Sequence, residues 1–251
     1  MLSDGELLRY SRQILLAQVD IAGQLRLKEA KVLIVGLGGL GSPVALYLAA
    51  AGVGELHLAD FDRVDLSNLQ RQVLHDETLI GQGKVDSALQ RLAALNPEVR
   101  LVPLREALDA DSLRERVAAV DLVLDCSDNF TTRAAVNAAC VATGRPLVSG
   151  AAIRLEGQLS VFDPRRADSP CYHCLYGDGS EAELSCSEAG VLGPVVGLVG
   201  SLQALEALKL LAGFGEPLVG RLLLVDAASS RFRELRVRRD PGCSVCGARH
   251  G

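Results

Sequence analysis

Apolar positions in this chain follow two rhythms. Short unbroken apolar runs at Val32–Val35, Glu55–Asp60, Val99–Pro103, Asp121–Asp125 and Pro146–Gly150 predict strands, and an unbroken run fits a sheet buried on both faces. Between them, Gly41–Ala51, Lys84–Leu95, Ser112–Ala118 and Thr131–Thr143 carry apolar residues at helical spacing. Asn96-Pro97 stops the second of these helices and Gly144 the last. Strands alternating with helices imply a parallel, doubly wound sheet. Ahead of it, Asp4–Leu16 also has helical spacing.

From Glu156 the rhythm changes. GQLSVF alternates with period two, as an antiparallel strand does, and Phe162–Pro194 is polar, cysteine-bearing and without regular pattern. A stretch that long inside a compact domain is usually functional. Gly197–Leu211 returns to helix, and Leu222–Val225 with Phe232–Val237 predicts a closing antiparallel pair. The fold expected is therefore α/β and Rossmann-like, a doubly wound, mainly parallel sheet continued by antiparallel strands.

Composition narrows the setting. The chain has 251 residues, 49% of them hydrophobic and none of them Trp, so the core must come from Leu, Val, Ala and Ile. That length supports a substantial core without disulfides. A formal net charge of -5 and the lack of a basic run argue against nucleic acid as a partner. The apolar stretch Val191–Leu211 is broken by Pro194, Ser201, Gln203, Glu206 and Lys209, which predicts a buried helix and no membrane span. The first residues lack the cationic start and apolar core of a secretory signal. With seven Cys, the chain is expected in a reducing cytoplasm, where paired Cys read as metal ligands before disulfides.

The first predicted strand runs into Gly36-x-Gly38-x-x-Gly41, and the second ends at Asp60. The glycines permit a tight turn, close approach of phosphate to backbone and close helix–strand packing, while the helix N-terminus attracts the anion. Asp60 is placed to bind ribose hydroxyls. An NAD(P)-dependent oxidoreductase needs the same parts. The residues that follow weigh toward nucleotidyl transfer and leave the oxidoreductase as a rival: Asn68, Arg71 and Lys84 supply an amide and two cations, which hydride transfer does not require and attack on a triphosphate does. Asp125 and Asp128 stand at the end of the fourth strand, where α/β sheets place ligands. Asp128 is the candidate for Mg²⁺ and Asn129 for the cap of the following helix.

Cys171-Tyr-His-Cys174 and Cys243-Ser-Val-Cys246 are two CxxC pairs, and four thiolates close a tetrahedral, structural Zn²⁺ shell. His173 in place of one Cys, or a redox role, are the alternatives. Cys126 and Cys140 lie in apolar contexts and read as inert core residues. Cys186, in polar LSCSEAG, is open between an exposed thiol without a role and a nucleophile or sulfur carrier.

Taken together, RYSRQILL, VGLGGLGSPVALYLAAAGVG, LSNLQRQ, DCSDN, SGAAIRLEGQLSVF, CYHC, CSEAGVLGP, GSLQALEALKLL and GCSVCG resemble the MoeB/ThiF family of adenylyltransferases, relatives of the ubiquitin-activating enzymes, over essentially the whole chain. The resemblance implies a single domain over 1–251, with N-terminal helices (1–30), a nucleotide-binding half (31–155) and a carrier-binding and zinc half (156–251). It implies ATP-dependent adenylation of the C-terminal glycine of a ubiquitin-like sulfur carrier with a Gly-Gly tail, release of pyrophosphate, and later sulfur delivery by a cysteine desulfurase or sulfurtransferase. It places Gly39 and Gly41 against the nucleotide, Asp60 on ribose, Asn68, Arg71 and Lys84 on the phosphates and Mg²⁺ on Asp128. Arg12 matches the family's arginine finger, given by the second subunit of a homodimer. SGAAIRLEGQ looks more like the MoeB branch, which serves molybdopterin synthase. SRQILL and SPVALYL also look like the ThiF branch, which serves the thiamine carrier, and this is the alternative. A zinc-stapled scaffold that binds a carrier without chemistry is a further rival.

Overall fold

The computed structural model describes residues 1–178 and 189–247. Three helices lead in: α1 (Asp4–Arg9), α2 (Ser11–Ile14) and α3 (Asp20–Glu29). Ser3 starts α1 through a capping box, its hydroxyl accepting from Glu6 N–H while Glu6 accepts from Ser3 N–H. The nucleotide-binding half follows as β1 (Lys31–Val35), α4 (Gly41–Ala50), β2 (Glu55–Ala59), α5 (Lys84–Leu95), β3 (Arg100–Leu104), α6 (Ala110–Ala118), β4 (Leu122–Asp125) and α7 (Phe130–Thr143). Then come β5 (Leu147–Ile153), β6 (Glu156–Phe162), α8 (Tyr172–Tyr176), α9 (Gly193–Ala212), β7 (Arg221–Asp226) and β8 (Arg231–Arg236).

One eight-stranded sheet runs β3-β2-β1-β4-β5-β6-β7-β8. The strands from β3 to β5 are parallel, and from β5 to β8 each neighbour is antiparallel. The change has a local cause: β5 and β6 are joined by a turn at Arg154–Leu155, too short for a parallel crossover. In the parallel half, Val32, Leu33, Ile34, Leu122, Val123 and Leu124 are wholly buried, which explains their unbroken apolar runs. The chain leaves β1 toward β2 and β3, then returns to β4 on the other side of β1. That reversal opens a crevice at the carboxyl ends of β1 and β4.

Two expectations are refined. Helix α9 begins at Gly193, with Pro194 in its first turn, where a missing N–H costs nothing; the proline opens the helix that the sequence pattern started at Gly197. The patternless stretch contains the short helix α8, too brief to show a period. Asn129 caps α7 as expected, its side chain accepting from Thr132 N–H at 2.8 Å. Helix α9 has a mean hydropathy of 1.6 and length enough to cross a membrane. It instead buries Val195, Val196, Val199, Ala204 and Ala207 in the central core, and its polar residues have partners: Gln203 donates to Asp125 O, and Glu206 accepts from Leu218 N–H.

Candidate functional site

The glycine loop leaves β1 through Gly36, whose φ of +92° suits only glycine at low cost. Gly36 N–H still donates to Ala59 O, so the loop stays pinned beside β2. Asp60, just past β2, is a clasp. One carboxylate oxygen accepts from Leu37 N–H at 2.7 Å and the other from Asp62 N–H at 2.8 Å. Each oxygen keeps a further lone pair, so the clasp can also accept from ribose hydroxyls.

Around this loop lies a cavity of about 280 Å³ at the crevice between β1 and β4. Gly38, Gly39, Asp60, Arg71, Lys84 and Asp128 all line it, which unites most of the residues singled out in the sequence. Lys84 opens α5, is only 5% exposed, and pairs at 2.9 Å with the half-exposed carboxylate of Asp62. A cation so buried is held by its partner and is available to an anion entering the cavity. Arg71 donates to Ser67 O and to Asn68 Oδ1, both at 3.1 Å. Asn68 does not line the cavity; its amide oxygen orients Arg71 and also accepts from Gln72. Gly41 does not line it either and sits at the close approach of α4 to Gly36. Arg12 is exposed on α2 and is not among the residues that line the cavity.

At the end of β4 the two aspartates divide their roles. Asp125 is wholly buried, and its carboxylate accepts from Ser127 N–H, Ser127 Oγ and Ser149 Oγ, so it holds the turn. Asp128 is exposed at the cavity wall. Sequence reasoning passed over Arg133, which also lines the cavity and donates to Ser127 O at 2.8 Å. Burial opposes its charge, but Asp125 and Tyr172 outweigh that and hold its guanidinium above the ordinary arginine range. One arginine on an amphipathic helix carries no signal that separates it from a surface residue. Cys126 and Cys140 are core thiols as expected, both pushed up by burial and by Asp125. Cys186 lies outside the described residues.

The two CxxC pairs converge. All four Sγ atoms of Cys171, Cys174, Cys243 and Cys246 lie within 4.8 Å of one another, and three of the separations are 3.5, 3.7 and 3.8 Å. These are far longer than a disulfide. A tetrahedron with metal–sulfur bonds of about 2.3 Å has edges of about 3.8 Å, so the cluster has the size of a metal shell. His173 turns its ring toward Cys243 and Asp178, which makes it a neighbour of the cluster.

A doubly wound domain whose switch-point cavity joins the Asp60 carboxylate to three cations, Arg71, Lys84 and Arg133, and to the exposed carboxylate of Asp128 has the parts of a nucleotidyl-transfer domain. The ThiF family matches residues 10–245, and the chain belongs to that family. It is 52% identical over 246 residues to the molybdopterin-synthase adenylyltransferase of Salmonella typhimurium, covering 98% of each chain. It is 51% identical over 246 residues to the sulfur carrier protein ThiS adenylyltransferase of Escherichia coli (strain K12), covering 98% of this chain and 97% of that one. A crystal structure of E. coli MccB with ATP matches with a TM-score of 0.85 and 27% identity, over 95% of this chain and 74% of that one. The chain is thus an adenylyltransferase, and the oxidoreductase alternative falls.

Proposed function

We propose that the chain is a molybdopterin-synthase adenylyltransferase. It transfers AMP from ATP to the C-terminal glycine of a small ubiquitin-like, MoaD-like sulfur carrier, the activation step before thiocarboxylate formation in molybdenum cofactor biosynthesis in the cytoplasm. The cavity that gathers Asp60, Arg71, Lys84 and Asp128 around the glycine loop carries the adenylyl-transfer reading, and the 52% identity to a molybdopterin-synthase adenylyltransferase supports the choice of carrier.

The chemistry needs no side-chain nucleophile. A carboxylate oxygen of the carrier attacks the α-phosphorus, a new P–O bond forms, and the bond to the pyrophosphate oxygen breaks with its electron pair leaving on pyrophosphate. Nucleophile and ATP are both anionic, so the site must offset repulsion and then stabilise charge on the departing oxygens. Lys84 and Arg71 supply that charge from a half-closed cavity where it is weakly screened. Asp60 holds the ribose. Asp128 would hold Mg²⁺, which when bound neutralises phosphate oxygens. Arg12 acts from the second subunit of a homodimer.

The cysteine cluster holds structural Zn²⁺, since four thiolates leave no open position for substrate. The carrier docks on the antiparallel half of the sheet. There α9 covers one face, while Ala151, Gln158, Leu224 and Arg233 form one cross-strand row on the other and are partly or fully exposed.

The test is ATP–pyrophosphate exchange with a MoaD-like and a ThiS-like carrier offered separately. We expect carrier-dependent exchange with the MoaD-like protein, and its loss in folded Arg71→Ala and Asp128→Ala. Exchange with the ThiS-like carrier alone would move the assignment to the thiamine branch. Near-native exchange by either variant would remove that residue from the mechanism.

A further inference from the structure

Between Arg71 and Lys84 lies a buried histidine to which nothing above assigns a role. His75 is 6% exposed, and both ring nitrogens are engaged. Nε2 lies 3.0 Å from Leu37 O, and Nδ1 lies 2.8 Å from Ser87 Oγ. A carbonyl oxygen can only accept, so Nε2 carries the proton. Nδ1 is then a lone pair that accepts from the Ser87 hydroxyl, which is itself wholly buried.

The two partners belong to the two halves of the phosphate site. Leu37 stands between Gly36 and Gly38 in the glycine loop, and Ser87 is one turn beyond Lys84 on α5. The carbonyl held by His75 belongs to the Leu37–Gly38 peptide. In a planar trans peptide the N–H points opposite to the C=O. Fixing Leu37 O on the buried side therefore turns Gly38 N–H the other way, and Gly38 lines the cavity. That amide has no protein acceptor among the described residues. The N–H of Leu37 is already fixed on Asp60, so the peptide groups on both sides of Leu37 are set from outside the loop.

We propose that His75 is a positioning residue for ATP: its Nε2–H holds the Leu37–Gly38 peptide so that Gly38 N–H faces a phosphate oxygen, and its Nδ1 ties that loop to the helix that carries Lys84. The inference deepens the adenylyltransferase reading and rests on it. His75 touches no substrate; it sets the distance between an anion-binding amide and a buried cation that act on the same triphosphate.

Two amide variants separate the arms of this clamp. In His75→Gln the side-chain nitrogen reaches as far as Nε2 and restores the donor to Leu37 O. In His75→Asn the amide reaches only as far as Nδ1 and leaves Leu37 O unpaired. ATP affinity is measured by calorimetry and ATP KM by pyrophosphate exchange, well below each variant's melting temperature, alongside Ser87→Ala. We expect His75→Asn to weaken ATP binding about tenfold, the scale of one buried hydrogen bond, with KM rising more than kcat falls. We expect His75→Gln and Ser87→Ala, which both keep the Leu37 bond and lose the Nδ1–Ser87 arm, to match each other and to fall between wild type and His75→Asn. Equal ATP affinity in the Asn and Gln variants, whether both intact or both lost in step with stability, overturns the proposal. A wild-type protein that binds no ATP instead strikes the nucleotide reading itself, and the two failures are told apart by that control.

Discussion

Adding one methyl group at Gly41 tests how the glycine loop is built. A Cβ there would sit 1.9 Å from Gly36 O and 2.8 Å from Gly36 C. Both are backbone atoms, so no rotamer change relieves the contact. Reaching an ordinary C···O contact of about 3.3 Å requires about 1.4 Å of movement between α4 and the end of β1. Helix propensity points the other way, but by less than the roughly 1 kcal/mol Ala gains over Gly in a helix interior, because Gly41 is the first residue of α4. Overpacking costs about 1–3 kcal/mol, and a backbone clash belongs at the upper end. The net is about 2 kcal/mol of destabilisation, or about 4–8 °C in Tm for a chain of this size. The functional loss is larger. A shift of about 1 Å in a positioned site costs about a hundredfold in rate, so Gly41→Ala should lose most exchange activity while still folded. The assay is calorimetric melting with and without ATP, run beside Gly38→Ala and Gly39→Ala. At Gly38 the nearest atom to an added Cβ is Gln72 Nε2 at 3.4 Å, and its Tm should be unchanged. At Gly39 an added Cβ meets Val196 Cγ2, Cβ and Cγ1 at 2.9, 3.2 and 3.3 Å, side-chain rather than backbone atoms, and the loss should be intermediate. A Gly41→Ala protein with native Tm and native ATP affinity would refute this account of the loop.

Metal analysis should find one Zn²⁺ per chain, and Cys246→Ser or a strong chelator should lower Tm, because the cluster ties the segment near the C-terminus to the chain around α8. Protein that is metal-free as purified, with all four thiols reactive and Tm unaffected by chelator, would contradict this. Acid stability should carry a His75 signature. Burial depresses its folded pKa below the ordinary 6.5, outweighing the Leu37 bond, with Lys84 acting in the same direction and Asp60 and Asp76 opposing. The unfolded chain therefore binds the proton first, so stability is intact above pH 6.5 and declines below it, by at most about 1.4 kcal/mol per pH unit for one proton. His75→Gln should flatten that decline in denaturant titrations at stepped pH, and an unchanged slope would count against it.

Much of this protein is visible in one dimension. Period two and period 3.6 are local properties of strands and helices, so the alternation through Gly150, the full extent of α5 and the antiparallel β6 follow from neighbouring residues alone. The fingerprint Gly36–Gly41 and the paired cysteines are likewise short-range chemistry, since each needs only a fixed spacing along the backbone. Asp60, Arg71, Lys84 and Asp128 could be named because they follow strands whose ends a doubly wound sheet must bring together. What depended on tertiary structure was the sharing of roles among residues of the same type. Asp125 and Asp128 are indistinguishable as letters; burial against Ser127 and Ser149 makes one a brace and leaves the other at the cavity. Asn68 hydrogen-bonds Arg71 from outside the cavity lining, Arg133 lies in the cavity wall, and His75 bonds both Leu37 O and Ser87 Oγ. Hydrogen bonds across dozens of residues obey the register of the sheet and the depth of packing, and no sequence period encodes those distances.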